Sequence, residues 1–311
     1  MNMTTKVSII VCTFNRCGSL ADTLASLAAL DVPEEIAWEV VVVDNNSTDG
    51  TREVVARFSR DAAVRTRYLF EPRQGLSHAR NCGVAASDAE YVLFTDDDVL
   101  VDPGWLRYTV AALVNRHADC AGGKVLPLWR GNRPKWLSNA LLNVLAMLDY
   151  GDEPLKLDRG TDDRILYGAN FAFRREKLLA TGAFNPDLGR KGSVGAGEDQ
   201  EIQKKLRCRG GRIVYEPRSV VYHKIDPERL HKPYFRRWYY VAGRDRAKVS
   251  NPSHFTVFGI EGYLLREFLE TAMKIPCAAL QLRWNRLFEL ELRCILYLSV
   301  FKHQIGRAIT A

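Results

Sequence analysis

Short apolar stretches alternate with longer amphipathic stretches along the N-terminal third of the chain. The short stretches are rich in β-branched and aromatic residues, which favour buried strands. They predict four strands: Val7–Cys12, Trp38–Val43, Arg67–Phe70 and Tyr91–Thr95. The intervening stretches have apolar residues at helical spacing, as in Leu20, Leu24, Leu27 and Leu30. Strands that alternate with helices predict an α/β fold with a mostly parallel sheet flanked by helices.

The pattern is less regular from residue 105 to residue 225. It predicts a helix over 105–115, a glycine-rich loop over 192–197 and a helix over 198–206. Four apolar stretches predict strands: Cys120–Val125, Gly168–Arg175, Arg212–Tyr215 and Ser219–His223. The segment between them, residues 126–163, has large aromatic residues but no period. It is either a loop that covers substrate or a solvent loop with its own apolar cluster.

The C-terminal region carries two apolar-rich stretches, residues 255–274 and 282–301. Each predicts a helix with stripes of apolar residues, among them Leu265, Leu269 and Met273 in the first and Trp284, Phe288, Leu292 and Ile295 in the second. Such helices either pack on the catalytic domain or a second copy of the chain, or lie on a membrane surface. The membrane alternative is favoured by the basic residues Arg283, Arg286, Arg293 and Lys302. We therefore expect one domain over 1–225, with halves 1–118 and 119–225, and a helical C-terminal extension over 226–311.

Composition narrows the class of protein. The 311 residues are 47% hydrophobic and 26% charged, as in ordinary globular proteins. Seven scattered cysteines without a CxxC pair argue against a disulfide framework and against a zinc site, and favour a reducing compartment. The N-terminus, Met1–Lys6, is polar, and no apolar run approaches the roughly 18 residues of a membrane-spanning helix. We expect a cytoplasmic protein, with the inner face of the cell membrane as the alternative site of action.

The net charge of +7 suits a phosphorylated substrate or an anionic membrane. It would also suit nucleic acid, but the sequence contains no nucleic-acid-binding motif. We therefore expect no nucleic-acid partner.

Three consecutive carboxylates, Asp96, Asp97 and Asp98, lie directly after the strand that begins at Tyr91. They repel one another, and a buried strand that ends on them is unfavourable unless a cation or polar ligand offsets the charge. Open α/β sheets bind ligands at the carboxyl ends of their strands. Hard oxygen donors suit Mg²⁺ or Mn²⁺, which in turn would hold a phosphate group. For Asp98 alone, a helix cap is an equally good explanation.

Other polar residues lie where ligands bind in βαβ units. Two polar loops, Thr13–Arg16 and Asp44–Gly50, come after the first and second strands. For Ser47 and Asp49 in the second loop, a turn and helix cap is the alternative role, whereas Asp44 ends the strand itself. Glu198 and Asp199 open a helix, where the helix dipole alone would favour acidic residues.

Two further groups remain open. His223 ends a strand and is either a ligand or a hydrogen-bonded structural histidine. Arg236, Arg237 and Trp238 either bind a diphosphate or a sugar, or belong to a helix whose aromatic face packs and whose arginines are solvated.

These elements, in this order, resemble the inverting glycosyltransferases of family 2, which have the GT-A fold. The resemblance covers Lys6 to His223. Residues 11–16 and 43–51 are similar to the two nucleotide-binding loops of that family. Phe94–Asp98 resembles its DxD metal motif, and Gly197–Asp199 resembles its ED motif.

The resemblance implies a role for each of these residues. Asp199 would be the catalytic base, and Glu198 would bind the acceptor or orient the base. Asp98, Asp96 and His223 would hold Mn²⁺ or Mg²⁺. The nucleotide would be bound by the residues Thr13, Phe14, Asn15, Arg16, Asp44, Asn46, Ser47, Arg73, Arg80, Asn81, Asp96 and Asp97.

The expected reaction is transfer of a sugar from a nucleotide-diphosphate sugar, with UDP as the expected nucleotide. The acceptor would be a hydroxyl of a glycan or lipid-linked molecule in surface polysaccharide or glycoconjugate synthesis. Such a transfer has an oxocarbenium-like transition state and a diphosphate leaving group. Two alternatives are a sugar-nucleotide pyrophosphorylase and a non-catalytic nucleotide- or glycan-binding module. A pyrophosphorylase usually has a glycine-rich phosphate loop after the first strand, and the loop Thr13–Arg16 does not have those glycines.

Overall fold

The chain divides into two units. The computed structural model describes residues 4–158, 164–191, 197–249, 256–257 and 260–310. The first unit comprises Met1–Leu128, Ala146–Gly192 and Glu198–Lys224, and the second comprises Trp129–Leu145, Ser193–Gly197 and Ile225–Ala311. Most of the predicted glycine-rich loop, residues 192–196, lies outside the described residues, as do the end of the irregular segment, residues 159–163, and Phe255.

A nine-stranded sheet forms the centre of the first unit, as far as the chain is described. Its strands are β1 (Thr5–Thr13), β2 (Ile36–Asp44), β3 (Thr66–Phe70), β4 (Tyr91–Asp96), β5 (Val99–Val101), β6 (Cys120–Trp129), β7 (Leu155–Lys156), β8 (Phe171–Arg174) and β9 (Ile213–Ile225). The strand order is β3-β2-β1-β4-β8-β6-β9-β5, with β7 paired to β9. The four predicted N-terminal strands are thus present as β1 to β4, and β1 pairs in parallel with both β2 and β4.

The pairs among the first four strands are parallel, whereas several pairs in the rest of the sheet are antiparallel. β2 also pairs in parallel with β3, but β4 with β8, β6 with β8, β5 with β9 and β7 with β9 are antiparallel. The predicted α/β sheet is therefore mixed rather than mostly parallel. The apolar pattern of a strand reports its burial but not the direction of its neighbour, so the sequence could not distinguish the two halves.

β9 is one strand, and the prediction of two short strands at 212–215 and 219–223 was wrong. The strand continues through Pro217, and a neighbouring strand comes unusually close on either side of this proline. A Cβ atom on Gly123 of β6 would lie 2.0 Å from the carbonyl oxygen of Ser219 and 2.4 Å from that of Glu216. A glycine in a strand often marks such an approach, and proline is tolerated where the ladder is irregular.

Helices cover the sheet. In the first unit they are α1 (Cys17–Ala28), α2 (Thr51–Asp61), α3 (Leu76–Ala86), α4 (Trp105–Asn115), α5 (Arg175–Ala180) and α6 (Glu198–Cys208). α1 buries Leu20, Leu24 and Leu27 as predicted, whereas Leu30 lies beyond its end. The core between sheet and helices includes a cluster of four aromatic rings, Phe94, Phe171, Phe173 and Phe184, in mostly edge-to-face contact.

The second unit is built mainly from three helices, α7 (Lys232–Val249), α8 (Gly262–Leu280) and α9 (Trp284–Thr310), and a small hairpin of β10 (Thr256–Val257) and β11 (Ile260–Glu261). Leu264 of α8 is buried against Tyr297, Val300 and Phe301 of α9. Part of the predicted irregular segment forms a 3₁₀ helix, Asn139–Leu145. Among the described residues, no helix combines the length and the apolar character needed to cross a bilayer.

Candidate active site

Three strands of the first unit end side by side at one edge of the sheet. Thr13, the last residue of β1, is in register with Asp44, the last residue of β2, and Cys12 is in register with Asp96, the last residue of β4. The hydroxyl of Thr13 donates a hydrogen bond to Asp97 at 2.7 Å. The polar residues that come after these three strands therefore meet at one edge, as parallel pairing requires.

Asp96, Asp98 and His223 form a group with the geometry of a cation site. β5 and β9 pair so that Val99 is opposite His223, which places the imidazole beside Asp98, with Nε2 3.0 Å from Oδ1. One ligand atom from each of the three residues lies within 4.8 Å of the others. Nδ1 of His223 is buried and has no hydrogen-bond partner among the described residues. Two carboxylates and an imidazole are donors that Mn²⁺ and Mg²⁺ accept, so the residues fit a divalent cation.

Arg16 offsets part of the negative charge at the ends of β1 and β4. Its Nη1 lies 2.5 Å from Oδ2 of Asp98 and 3.2 Å from Oδ1 of Asp97. Burial, reinforced by the charge of Asp98, raises the pKa of Asp97 to about 6. The same two causes raise the pKa of Asp96. A bound cation would relieve this repulsion, which explains why three adjacent carboxylates can be maintained here.

Arg80 of α3 joins the strand-end carboxylates to those of α6. Its side chain is only 3% exposed, and its Nη1 lies 2.8 Å from Asp199 and 3.2 Å from Glu198. Its Nη2 lies 4.0 Å from Oδ1 of Asp96. The rings of Phe94, Phe171 and Phe184 lie within 5.9 Å of the guanidinium carbon, so the charge is held between aromatic rings and carboxylates.

Gly168 fixes the other oxygen of Asp199. The backbone N–H of Gly168 donates to Oδ2 of Asp199 at 2.8 Å, while Arg80 occupies Oδ1. A Cβ atom on Gly168 would lie 1.8 Å from Nη2 of Arg80, which no real structure allows. The guanidinium of Arg80 lies against the α-carbon of Gly168, so a larger residue at this position would displace it.

Glu198 and Asp199 differ in their access to solvent. The side chain of Glu198 is 8% exposed, while that of Asp199 is 19% exposed. Burial, followed by the charge of Asp199, raises the pKa of Glu198 to about 7. Asp199 is therefore the carboxylate of this pair that a second reactant could reach more easily.

The two predicted nucleotide-binding loops contact each other. Asn15 and Asn46 have φ angles of 52° and 69°, in the left-handed region that asparagine tolerates. The side-chain oxygen of Asn15 accepts from the N–H of Thr48, and the N–H of Asn15 donates to Ser47. The second loop is thus built on the first.

Asp44 and Phe14 present different chemical groups at this edge of the sheet, a carboxylate and an aromatic ring. Asp44 accepts from the N–H of Ser47 and from the hydroxyl of Tyr68, both within 2.8 Å. Phe14, in the first loop, is an exposed aromatic residue.

Some predicted site residues have other partners. Arg73 is exposed and forms a two-point ion pair with Glu71. The amide of Asn81 both donates to and accepts from the backbone of Phe184, so it ties α3 to that turn. The predicted roles of Arg73 and Asn81 in nucleotide binding remain predictions.

Arg236, Arg237 and Trp238 belong to α7 in the second unit. Arg236 pairs with Glu291, Arg237 is exposed, and Trp238 packs edge-to-face on Tyr239. Their predicted contacts with a diphosphate or acceptor also remain predictions.

Sequence reasoning missed two residues of this region. Asn45 is buried and binds the carbonyl oxygens of Glu71 and Arg73 as well as the N–H of Gly75, so it orders the loop before α3. Its position beside Asp44 at a strand end was a usable signal. Gly168 gave no signal, because its importance depends on the position of Arg80.

Comparison with known proteins gives a family match over more than half of the chain. Residues 8–181 match the model of the family described as glycosyl transferase family 2. The chain is 27% identical over 250 residues to the succinoglycan biosynthesis protein ExoM of Rhizobium meliloti (strain 1021), covering 80% of this chain and 76% of that protein. It is 29% identical over 227 residues to the glucosyl-dolichyl phosphate glucuronosyltransferase of Haloferax volcanii, covering 71% and 69%.

Solved structures share the fold. The mannosyltransferase PcManGT of Pyrobaculum calidifontis, in complex with GDP-Man and Mn²⁺, matches with a TM-score of 0.63 at 21% identity, over 96% of this chain and 86% of that one. Residues 1–349 of S. aureus TarS, in complex with UDP-GlcNAc, match with a TM-score of 0.55 at 20% identity, over 97% and 92%. These likenesses confirm the predicted α/β fold with a helical C-terminal region.

Proposed function

Because the chain belongs to glycosyl transferase family 2, we propose that it transfers a sugar from a nucleotide-diphosphate sugar to a hydroxyl group of a glycan or lipid-linked acceptor. The names of its relatives support a role in polysaccharide or glycoconjugate synthesis, since they include a succinoglycan biosynthesis protein and a dolichyl phosphate glucuronosyltransferase. Structural neighbours are complexes with GDP-Man and UDP-GlcNAc. A UDP-sugar is the first donor to test.

The observation that carries the proposal is the position of Arg80. Its guanidinium contacts Asp199 on one side and lies 4.0 Å from Asp96 on the other. The group that would hold a cation and the carboxylate that would act as base are therefore neighbours of one side chain. Sugar transfer to a hydroxyl needs these two functions close together, on opposite sides of the reacting carbon.

Each charged group then has a defined task. A divalent cation held by Asp96, Asp98 and His223 would stabilise the charge that develops on the diphosphate leaving group. Asp199 accepts the proton of the acceptor hydroxyl while the oxygen of that hydroxyl attacks the anomeric carbon. Arg80 and the N–H of Gly168 hold the carboxylate of Asp199 in one orientation during this step. A single displacement of this kind inverts the anomeric configuration.

The nucleotide would bind at the ends of β1 and β2. Asp44, at the end of β2, presents a buried carboxylate whose two oxygens already accept one hydrogen bond each, and each can accept another from a base N–H. Phe14, which lies between Thr13 and Asn15 in the first loop, offers an exposed aromatic ring. Arg16 is positioned to exchange its contact with Asp98 for a phosphate oxygen once a cation is bound there.

The test is Asp199→Asn in the full chain. We expect the dissociation constants of UDP and Mn²⁺, measured by calorimetry, to stay within about threefold of wild type. The rates of sugar transfer and donor hydrolysis should fall by at least about a hundredfold. The matched control is Asp31→Asn. Asp31 is an exposed carboxylate that pairs with Arg107, and it lies far in sequence from Asp96–Asp98 and from Glu198–Asp199. Retained transfer by the Asp199 variant would remove this residue from the role of base.

The donor can be identified separately. UDP, GDP and dTDP, each with Mn²⁺, are compared by thermal unfolding, since a ligand at a hundred times its dissociation constant stabilises by roughly 2.7 kcal/mol. Release of UDP from a UDP-sugar, rather than pyrophosphate from a nucleoside triphosphate, distinguishes transfer from pyrophosphorylase activity.

A further inference from the structure

α8 in the second unit exposes a continuous apolar stripe. Leu269, Met273, Pro276 and Leu280 are all exposed and lie at intervals of four, three and four residues, which places them on one face of the helix. Leu269 is 51% exposed, Met273 70% and Leu280 86%. The opposite face of the same helix buries Leu264, Thr271 and Ala278. The helix is therefore apolar on two sides, and only one of them packs within the described part of the unit.

The stripe continues into the turn between α8 and α9. Leu282 and Trp284 are 67% and 68% exposed, and Leu282 has a φ of 51°, in the left-handed region. A leucine with positive φ is uncommon, because this conformation brings its Cβ atom close to a backbone carbonyl oxygen. We call the six residues Leu269, Met273, Pro276, Leu280, Leu282 and Trp284 the α8 apolar surface.

Most charges near this surface are basic, and the acidic residue beside Leu269, Glu270, pairs with Arg266. From residue 271 to residue 286 the chain contains Lys274, Arg283 and Arg286 and no acidic residue. Lys274 and Arg283 are exposed, while Arg286 pairs with Glu289 of α9. Long basic side chains can lay their methylene groups on apolar surface and keep the charge at its rim.

We propose that the α8 apolar surface lies in the headgroup region of an anionic lipid bilayer. An interfacial helix combines a strong apolar face with basic residues at its margin, and tryptophan favours the boundary between lipid and water. Basic residues near an anionic surface each add attraction that salt weakens. The net charge of +7 acts in the same direction.

Charge argues against a second copy of the chain as the occupant. A two-fold symmetric dimer formed through this surface would bring the same patch of both copies together, and with it four exposed basic side chains, Lys274 and Arg283 of each copy. Like charges at an interface are unfavourable, whereas phosphate headgroups would pair with both residues.

The experiment measures cosedimentation of the full chain with lipid vesicles. We expect binding to vesicles of phosphatidylcholine and phosphatidylglycerol in equal parts, weaker binding to phosphatidylcholine alone, and loss of the difference at high salt. The triple variant Leu269→Ser, Met273→Ser, Leu280→Ser should bind the mixed vesicles at least about a hundredfold more weakly, because three large apolar side chains no longer enter the bilayer.

The matched control replaces three exposed apolar residues elsewhere, Val114→Ser, Leu179→Ser and Leu298→Ser, and should bind like wild type. A second variant, Lys274→Glu with Arg283→Glu, should lose the preference for the anionic vesicles. Wild-type protein that does not bind vesicles, or a triple variant that binds as tightly as wild type, overturns the proposal. So does sedimentation velocity that shows a dimer which the triple variant dissociates, since a second copy would then cover the surface.

Discussion

Arg80 and Asp199 are 119 residues apart in sequence and 2.8 Å apart in space. Arg80 is buried in this contact while Asp199 is partly exposed, and Asp199 receives a second hydrogen bond from the backbone of Gly168. Neither oxygen of this carboxylate is therefore free to rotate away. If Asp199 is the base, its direction is determined by α3 and by the backbone that precedes β8, not by α6 alone.

Two replacements of Arg80 should distinguish the effect of its positive charge from the effect of its hydrogen-bond geometry. Arg80→Met removes the cation between Asp96, Glu198 and Asp199, and leaving buried carboxylates unpaired should lower the free energy of unfolding by about 3–5 kcal/mol. Arg80→Lys retains the charge, but one ammonium group cannot reproduce the geometry of a guanidinium that contacts several carboxylates. Urea unfolding measures the first effect.

For Arg80→Lys we expect kcat to fall by at least about tenfold with little change in KM for the donor, because Asp199 is misplaced while the nucleotide loops are intact. The pH profile of kcat should shift as well, since the charge nearest the base has moved. A lysine variant with wild-type kcat and pH profile would mean that Arg80 serves stability alone.

Gly168→Ala should disturb the same carboxylate without changing any charge. The added methyl group would start 1.8 Å from Arg80 Nη2 and 3.0 Å from Asp199 Oδ1, so one or both groups must move. A displacement of about 1 Å can lower a rate by about a hundredfold. We expect kcat to fall to this extent while UDP binding is retained.

The control for this variant is Gly18→Ala in α1. A Cβ atom on Gly18 meets nothing within 4 Å, and alanine in a helix should add about 0.5–1 kcal/mol of stability with unchanged turnover. If Gly168→Ala were as active as Gly18→Ala, the close approach of Arg80 to residue 168 would have no consequence for the reaction.

The metal assignment can be checked without measuring activity. Asp98→Asn keeps the shape of the side chain but removes a charged oxygen donor from the group that includes Asp96 and His223. We expect Mn²⁺ affinity, measured by electron paramagnetic resonance of the free ion, to fall by more than about a hundredfold, since changes beyond the ligands themselves already cause losses of this size. Asp31→Asn should not change it, and equal affinities in the two variants would remove Asp98 from the ligand set.

Features that depend on local pattern were predictable from the sequence. The apolar strands β1, β2 and β4 and the acidic or polar residues at their ends belong to this class, because parallel strands bring their carboxyl ends to one edge. The leucines Leu20, Leu24 and Leu27, whose helical spacing predicted the first helix, are buried on α1. Burial of apolar faces decides these features, and the periodicity of the sequence records that burial.

Features that depend on distant partners were not predictable. The role of Arg80 in nucleotide binding stays a prediction, but its contacts with Glu198 and Asp199, more than a hundred residues away, and with three phenylalanine rings were not predicted. The close approach of Gly123 to the backbone of Glu216 and Ser219 also joins residues far apart in sequence. Nor did the leucine spacing distinguish the buried side of α8 from its exposed stripe, because both sides are apolar.

Glu198 should make stability depend on pH. Its folded-state pKa is raised from 4.5 to about 7, chiefly by burial and then by the charge of Asp199, so the folded protein binds this proton more tightly than the unfolded chain does. The resulting stabilisation is complete below pH 4.5 and is lost as the pH rises through 7, on the order of 3 kcal/mol in total.

Glu198→Gln is neutral throughout, so its free energy of unfolding relative to wild type should rise between pH 5 and pH 8. Urea unfolding at several pH values measures this difference, in which the titration of Asp97 and of other groups common to both proteins cancels. Parallel curves for the two proteins would mean that Glu198 is ionised in the folded state at every pH tested, held so by Arg80 at 3.2 Å.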